Sequence, residues 1–187
     1  MHFLKETLLH PKHTGAIAPS GERLVDLMIE NAKLDTAETV VELGPGTGVF
    51  TLKILETISP DSTYFAIEIN QSFVLDMKRT YPQAKVYVGG AEDIGKYLKL
   101  QGLTKCDRVI SGLPWTAFEP ELQENILKEI YNALSPDGLF LTFAYYPFNY
   151  LPNGWSFKKK LEERFSSVAE TNVVPNLPPA FVYVCRK

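Results

Sequence analysis

Apolar positions in this chain fall into two alternating rhythms. Residues 39–43 read Thr-Val-Val-Glu-Leu, β-branched and apolar with one polar break. The same dense character returns at 62–69 (STYFAIEI), 85–89 (KVYVG), 107–112 (DRVISG) and 138–146 (GLFLTFAYY). Short runs of this kind predict strands buried on both faces, as in a parallel sheet. Between them the spacing becomes helical. Phe50, Ile54 and Ile58 recur along 49–58, and a helix is predicted from the end of the second strand to about Tyr81. A short helix follows over 91–100, and an amphipathic one over 120–134, stopped by Ser135-Pro136-Asp137-Gly138. GERLVDLMIENAKL predicts a further helix before the first strand, with Pro19 or Ser20 at its start. Strands alternating with helices point to an α/β fold with an open, doubly wound sheet.

The end of the chain departs from that rhythm. After the helix-like WSFKKKLEERF (155–165) come SVAETNVV and AFVYVCRK, separated only by PNLPP. A connection that short cannot cross over to a parallel strand, so these two segments are expected to pair antiparallel. No internal repeat, low-complexity tract or linker appears. The 187 residues suit a single domain over 1–187, with 1–20 set apart as an N-terminal segment.

Composition narrows the partners. Hydrophobic residues make up 45% and charged residues 22%, as in ordinary soluble proteins. A net charge of −3 gives no electrostatic footprint for nucleic acid. Cys106 and Cys185 sit inside apolar runs and read as buried free thiols; so few ligands argue against a metal. No apolar run approaches about 18 residues, and the N-terminus lacks the continuous apolar core of a signal peptide, so a cytoplasmic protein is expected.

The chemistry gathers where strands end. Glu42-Leu43-Gly44-Pro45-Gly46-Thr47-Gly48 lies between the first strand and the first helix after it. Glycines there permit a tight turn and close approach of a ligand, and the helix start offers free N–H groups. The dinucleotide fingerprint needs a third glycine where this chain has Val49, and the Gly-Lys-Ser/Thr of a P-loop is absent. Glu68, with Ile69 after it, ends the second strand 20 residues beyond Gly48, where a carboxylate can take both hydroxyls of a ribose. The third strand runs into Gly89-Gly90-Ala91-Glu92-Asp93.

E-x-G-x-G-x-G resembles motif I of the S-adenosylmethionine-dependent methyltransferases, and five parallel strands closed by an antiparallel pair is the Class I layout. That resemblance implies a Rossmann-like fold: a seven-stranded, mostly parallel sheet with an antiparallel last strand and helices on both faces. It implies S-adenosyl-L-methionine as cofactor, held by Glu42, Gly44, Gly46, Gly48, Glu68, Ile69, Ala91, Glu92 and Ser111. Relatives often place an aspartate at the position of Gly90. Here the adenine contact falls to backbone or to Glu92, although Glu92 and Asp93 also read as ordinary first-turn helix acids.

The acceptor side centres on Val109-Ile110-Ser111-Gly112-Leu113-Pro114-Trp115. The rRNA adenine dimethyltransferases carry Asn-Leu-Pro-Tyr there, with Asn gripping a flipped base. This chain keeps the Leu-Pro turn and an aromatic but has Gly112 in place of Asn, so an rRNA adenine methyltransferase is the second reading. HFLKETLLHPKHTGAIAPSGERLVDLMIE (2–30), with ELGPGTGVFT and SGLPW, resembles the soluble bacterial phospholipid N-methyltransferases. This implies stepwise methylation of the amine of phosphatidylethanolamine or its methylated derivatives. A methyltransferase of a soluble metabolite and a non-catalytic S-adenosylmethionine-binding protein remain as alternatives.

In the lipid reading, the carbonyls of Ser111 and Gly112 orient the amine within the Ser111–Trp115 loop, and Trp115 attracts the cationic product. Tyr145 and Tyr146 form an aromatic pocket or roof the cleft. Phe3, Leu4, Thr7 and Leu8 fall along one side of a short helix near His2, His10 and His13. That segment reads as a lid or as a contact with an anionic membrane surface, which would make the protein peripheral at the inner membrane face. No residue stands out as general base.

Overall fold

A computed structural model of the chain describes residues 19–187. The proposed lid or membrane segment, the three histidines and Thr14–Ala18 lie outside the described residues. The chain enters through α1 (Pro19–Ala32), followed by β1 (Thr39–Leu43), α2 (Val49–Thr57), β2 (Thr63–Glu68), α3 (Gln71–Thr80) and β3 (Val86–Val88). Then come α4 (Ile94–Leu100), β4 (Cys106–Ser111), α5 (Pro120–Ala133), β5 (Leu134–Tyr145), α6 (Pro152–Arg164), β6 (Ser167–Glu170) and β7 (Ala180–Arg186).

One seven-stranded sheet has the order β3-β2-β1-β4-β5-β7-β6. The first five strands pair in parallel, and β7 runs antiparallel to both β5 and β6, as the short Pro-rich connection requires. All five residues of β1 are buried, the signature of a central strand covered on both faces. Alternate residues feed two cores. Val41, Leu43, Phe65, Val109 and Phe140 face α4, α5 and α6; Val40, Ala66, Ile110 and Leu141 face α1, α2 and α3.

Local signals explain several boundaries. The Asn70 side chain accepts the Ser72 N–H at 2.9 Å and caps α3, while Pro120 and Pro152 open α5 and α6. Residues Gln123, Ile126, Leu127, Ile130 and Ala133 form the buried stripe of α5. The expected break at Ser135–Gly138 is absorbed into β5. Leu134 pairs with Cys106, the register then slips, and pairing resumes at Leu139 opposite Arg108. Asp137 takes the positive φ of 60° that this irregularity demands. Strand β6 is shorter than SVAETNVV, with Val174 retained only as an isolated bridge to Ala180. Both cysteines are buried and free.

The direction of α1 matters for the site. Its C-terminal residue Ala32 accepts a hydrogen bond from Arg108 Nε at 2.6 Å, beside the start of β4. Fourteen residues at about 1.5 Å each carry Pro19 about 21 Å away, to the carboxyl edge of the sheet.

Candidate active site

The strand order reverses between β1 and β4, whose following helices leave on opposite faces, so a crevice opens above their carboxyl ends. The glycine loop after β1 and the Ser111–Trp115 loop after β4 form its two walls. Gly44, Gly46 and Gly48 have φ of 69°, 55° and 84°, a backbone path that side-chain-bearing residues resist. A Cβ placed on Gly46 would meet nothing within 4 Å, so this part of the turn faces open space. Glu68 completes the cradle. Its Oε2 accepts the Gly46 N–H at 3.1 Å and its Oε1 accepts the Asn70 N–H at 2.8 Å. Each oxygen keeps a further lone pair, and Ile69 beside it stands 78% exposed, an apolar face at a polar rim.

The space beside Gly90 is filled by another residue. A Cβ there would lie 2.4 Å from Glu92 Oε1 and 2.5 Å from Oε2. The Glu92 carboxylate thus covers the place where a side chain on residue 90 would stand, while Ala91 is buried behind it. The open backbone at Gly46, the spare lone pairs of Glu68, the exposed Ile69 and this second acid are chemically compatible with the polar and apolar parts of S-adenosylmethionine.

Glu42 differs from expectation. It is wholly buried beneath the loop, where its Oε2 accepts from Thr51 Oγ1 at 2.7 Å and Tyr64 OH at 2.5 Å. Among the described residues Oε1 has no hydrogen-bond partner, and burial pushes the carboxyl up to about 7. It braces α2 against β1 and β2 from below and reaches no open surface.

The β4 loop is held from three sides. Ser111, fully buried, accepts at Oγ from the Leu113 N–H and from Trp115 Nε1, both at 3.2 Å. Gln123 on α5 donates to the Trp115 carbonyl at 2.7 Å. Thr142 Oγ1 donates to the Ser111 carbonyl at 3.3 Å, which takes one of that oxygen's two lone pairs and fixes its direction. The Gly112 N–H donates to Leu43 O at 2.9 Å, clamping the two walls together. Leu113 packs over Gly44, and Pro114 turns the chain into the Trp115–Ala117 turn.

Trp115 corrects the expectation of a cation-binding face. It is 3% exposed, stacks on Phe157 at 5.0 Å, and meets Phe140 and Phe118 edge-on. A ring packed in this way is core. Nor do Tyr145 and Tyr146 share one pocket. Tyr145 packs edge-on against Phe143, whereas Tyr146 turns to Tyr150. Burial raises the Tyr145 hydroxyl above its ordinary value, so it stays protonated at neutral pH. Sequence reasoning passed over Thr142 and Gln123, although a glutamine inside the apolar stripe of α5 was a readable signal for a buried anchor.

Fold and site together define a Rossmann-like Class I methyltransferase that uses S-adenosylmethionine. The chain belongs to the family described as methyltransferase domain, which matches residues 40–138, just over half of it. It is 29% identical to the ornithine lipid N-methyltransferase of Singulisphaera acidiphila over 98% of this chain and 94% of that protein. It is 26% identical to ribosomal RNA small subunit methyltransferase A of a Synechococcus species, over 56% of this chain and only 38% of that one. The O-methyltransferase TomG of Streptomyces achromogenes, solved with S-adenosylmethionine, superposes with a TM-score of 0.68 at 19% identity. That likeness spans 92% of this chain and 82% of TomG, and shows the shared fold.

Proposed function

We propose that this methyltransferase transfers methyl groups to the amine of a membrane lipid headgroup, phosphatidylethanolamine or an ornithine lipid. One observation carries the reading: the likeness to a lipid N-methyltransferase runs the length of both chains, whereas the rRNA enzyme matches over little more than half of this one. Gly112 supports it, because the side chain with which the dimethyltransferases grip a base is missing here.

S-adenosylmethionine supplies an electrophilic methyl group when bound. Gly44, Gly46, Glu68, Ile69 and Glu92 would hold it, and the chain's remaining work is positioning. The attacking nitrogen must arrive as the neutral amine, since an ammonium has no lone pair. The Gly112 carbonyl, at the crevice wall, is the acceptor for an amine N–H. Ser111, Gln123 and Thr142 fix that carbonyl by holding the loop from below and behind. Tyr145, protonated, serves as a neutral hydrogen-bonding group at the same edge and not as a base. No helix among the described residues is long and apolar enough to cross a membrane. In this reading the enzyme meets its lipid from the bilayer surface.

The test is transfer of labelled methyl from S-adenosylmethionine to three acceptors in parallel. These are vesicles containing phosphatidylethanolamine, vesicles containing ornithine lipid, and immature small ribosomal subunits. Label in either lipid supports the proposal; label only in RNA overturns it.

A further inference from the structure

Large apolar side chains exposed to solvent are concentrated beside the acceptor mouth. Tyr146, Phe148, Tyr150, Leu151 and Trp155 project from the β5–α6 connection and the first turn of α6, with Tyr150 70% and Trp155 62% exposed. Leu177, on the β6–β7 connection, is 88% exposed. The two connections form one rim. The Tyr146 N–H donates to Pro179 O at 2.8 Å, and Tyr145 pairs with Ala180. Asn153 Nδ2 donates to Thr116 O at 3.4 Å, which joins this rim to the loop that carries Gly112.

The charge pattern marks the same surface. No charged residue occurs between Asp137 and Lys158, nor between Glu170 and Arg186, in a chain that is 22% charged. Lys158 and Glu170, which border these stretches, pair with each other at 2.9 Å. What remains outward is uncharged: the rings of Tyr146, Tyr150 and Trp155, the aliphatic Leu151 and Leu177, and the amides of Asn153 and Asn172. Rings with one apolar body and one polar tip suit the headgroup level of a bilayer, where each end finds its own solvent.

We propose that this rim is the surface on which the enzyme docks to a lipid bilayer, with Tyr150, Leu151 and Trp155 entering the interface. The proposal rests on a lipid amine as acceptor. An amine tethered to two acyl chains reaches the crevice only if the mouth comes down onto the membrane, and the residues around that mouth are the uncharged, aromatic ones. The rim's chemistry therefore suits a neutral interfacial contact that does not rely on anionic lipid.

Trp115 and Trp155 are the chain's two tryptophans, and of these only Trp155 is exposed, so the difference in emission between the parent and Trp155→Phe reads the rim over the buried background of Trp115. The full-length protein is mixed with phosphatidylethanolamine–phosphatidylcholine vesicles, free of anionic lipid, whose acyl chains carry bromine. Emission that shifts to shorter wavelength and is quenched by the bromines supports docking, whether or not methyl transfer follows. The triple variant Y150A/L151A/W155A, made at exposed positions, should fold with an unchanged melting temperature and lose vesicle partitioning by about tenfold or more.

Three results would overturn the proposal. The first is methylation of vesicle lipid while Trp155 emission stays water-like. The second is failure of acrylamide to reach Trp155 before any lipid is added, which would mean that another part of the chain covers the rim. The third is a triple variant that loses self-association while keeping full vesicle binding, which would make the rim a contact between copies. Lipid that is never methylated, even when dispersed in detergent, sinks the substrate reading instead, and the quenching result is read independently of it.

Discussion

The missing side chain of Gly112 is set against the backbone of Gly44: a Cβ on Gly112 would lie 2.7 Å from the Gly44 carbonyl oxygen. The neighbouring Gly112 N–H bonds to Leu43 O, so the two loops meet main chain to main chain at the floor of the crevice. The absence of Asn in this loop is thus more than the loss of one gripping amide. With the walls this close, no side chain fits at residue 112 unless the cofactor loop moves.

Gly112→Ala and Gly112→Asn should therefore fail alike. Each is expected to lower stability by about 1–3 kcal/mol through overpacking against rigid backbone. Each should also lower kcat/KM about tenfold or more, with weaker S-adenosylmethionine binding as the shared cause. Calorimetric titration of the cofactor beside methyl-transfer rates reads both effects. An alanine variant with normal cofactor affinity would show that the loops separate readily and that the contact is not decisive.

The Gly90–Glu92 relationship predicts a compensating pair. Glu92→Ala is expected to weaken S-adenosylmethionine binding about tenfold, a common size for losing one charge-assisted hydrogen bond. Adding Gly90→Asp to that variant returns a carboxylate to nearly the same place and should recover most of the affinity. Gly90→Asp alone puts two acids into one site and should be worse than either change. Cofactor titration of the three variants decides it; additive losses would mean that Glu92 acts only as a surface acid of its helix turn.

Trp115→Phe separates core packing from cation binding. Phenylalanine keeps the stack on Phe157 but loses the indole bond to Ser111, so stability should fall by about 1 kcal/mol. Methyl transfer should hold to within about threefold, with the amine KM unchanged. Trp115→Ala leaves a cavity and should cost about 3–5 kcal/mol. Chemical denaturation beside steady-state kinetics checks both. A phenylalanine variant of full stability and poor amine KM would restore the face-on role.

The legible parts of this molecule are those that local chemistry sets. Continuous apolar strands, helical stripes and the short PNLPP connection were enough to place the strands along the chain and to pair the last two antiparallel, because each reports burial or chain reach directly; the order of strands across the sheet depends on long-range pairing. The glycine loop and Glu68 were legible by spacing. Trp115 was not, because an aromatic beside a turn carries no sign of which way its ring faces; Phe157, 42 positions later, decides that. Glu42 misled for a related reason. A carboxylate at a strand end reads as a ligand until Thr51 and Tyr64 are seen to enclose it. The Ser-Pro-Asp-Gly turn was real in its chemistry but served a slipped register within one strand, which depends on pairing with β4.

Glu42 also makes stability depend on pH in an unusual direction. Its ordinary value of 4.5 rises to about 7 in the folded protein, mainly because the buried carboxylate loses its hydration. Between those values the native state holds a proton that the unfolded chain has released. The stabilisation linked to this group is therefore fully present below its unfolded value and is lost as pH rises through the folded one. Glu42→Gln keeps an acceptor for the Thr51 and Tyr64 hydroxyls and removes the titration. Urea unfolding of both proteins should show the variant gaining about 2–3 kcal/mol relative to the parent between pH 5 and pH 8. Every other carboxylate is common to the two chains, so the difference isolates residue 42. Parallel curves across that range would mean that Glu42 is already ionised at pH 5, its charge borne by the two hydroxyl donors, and that burial is not what governs it.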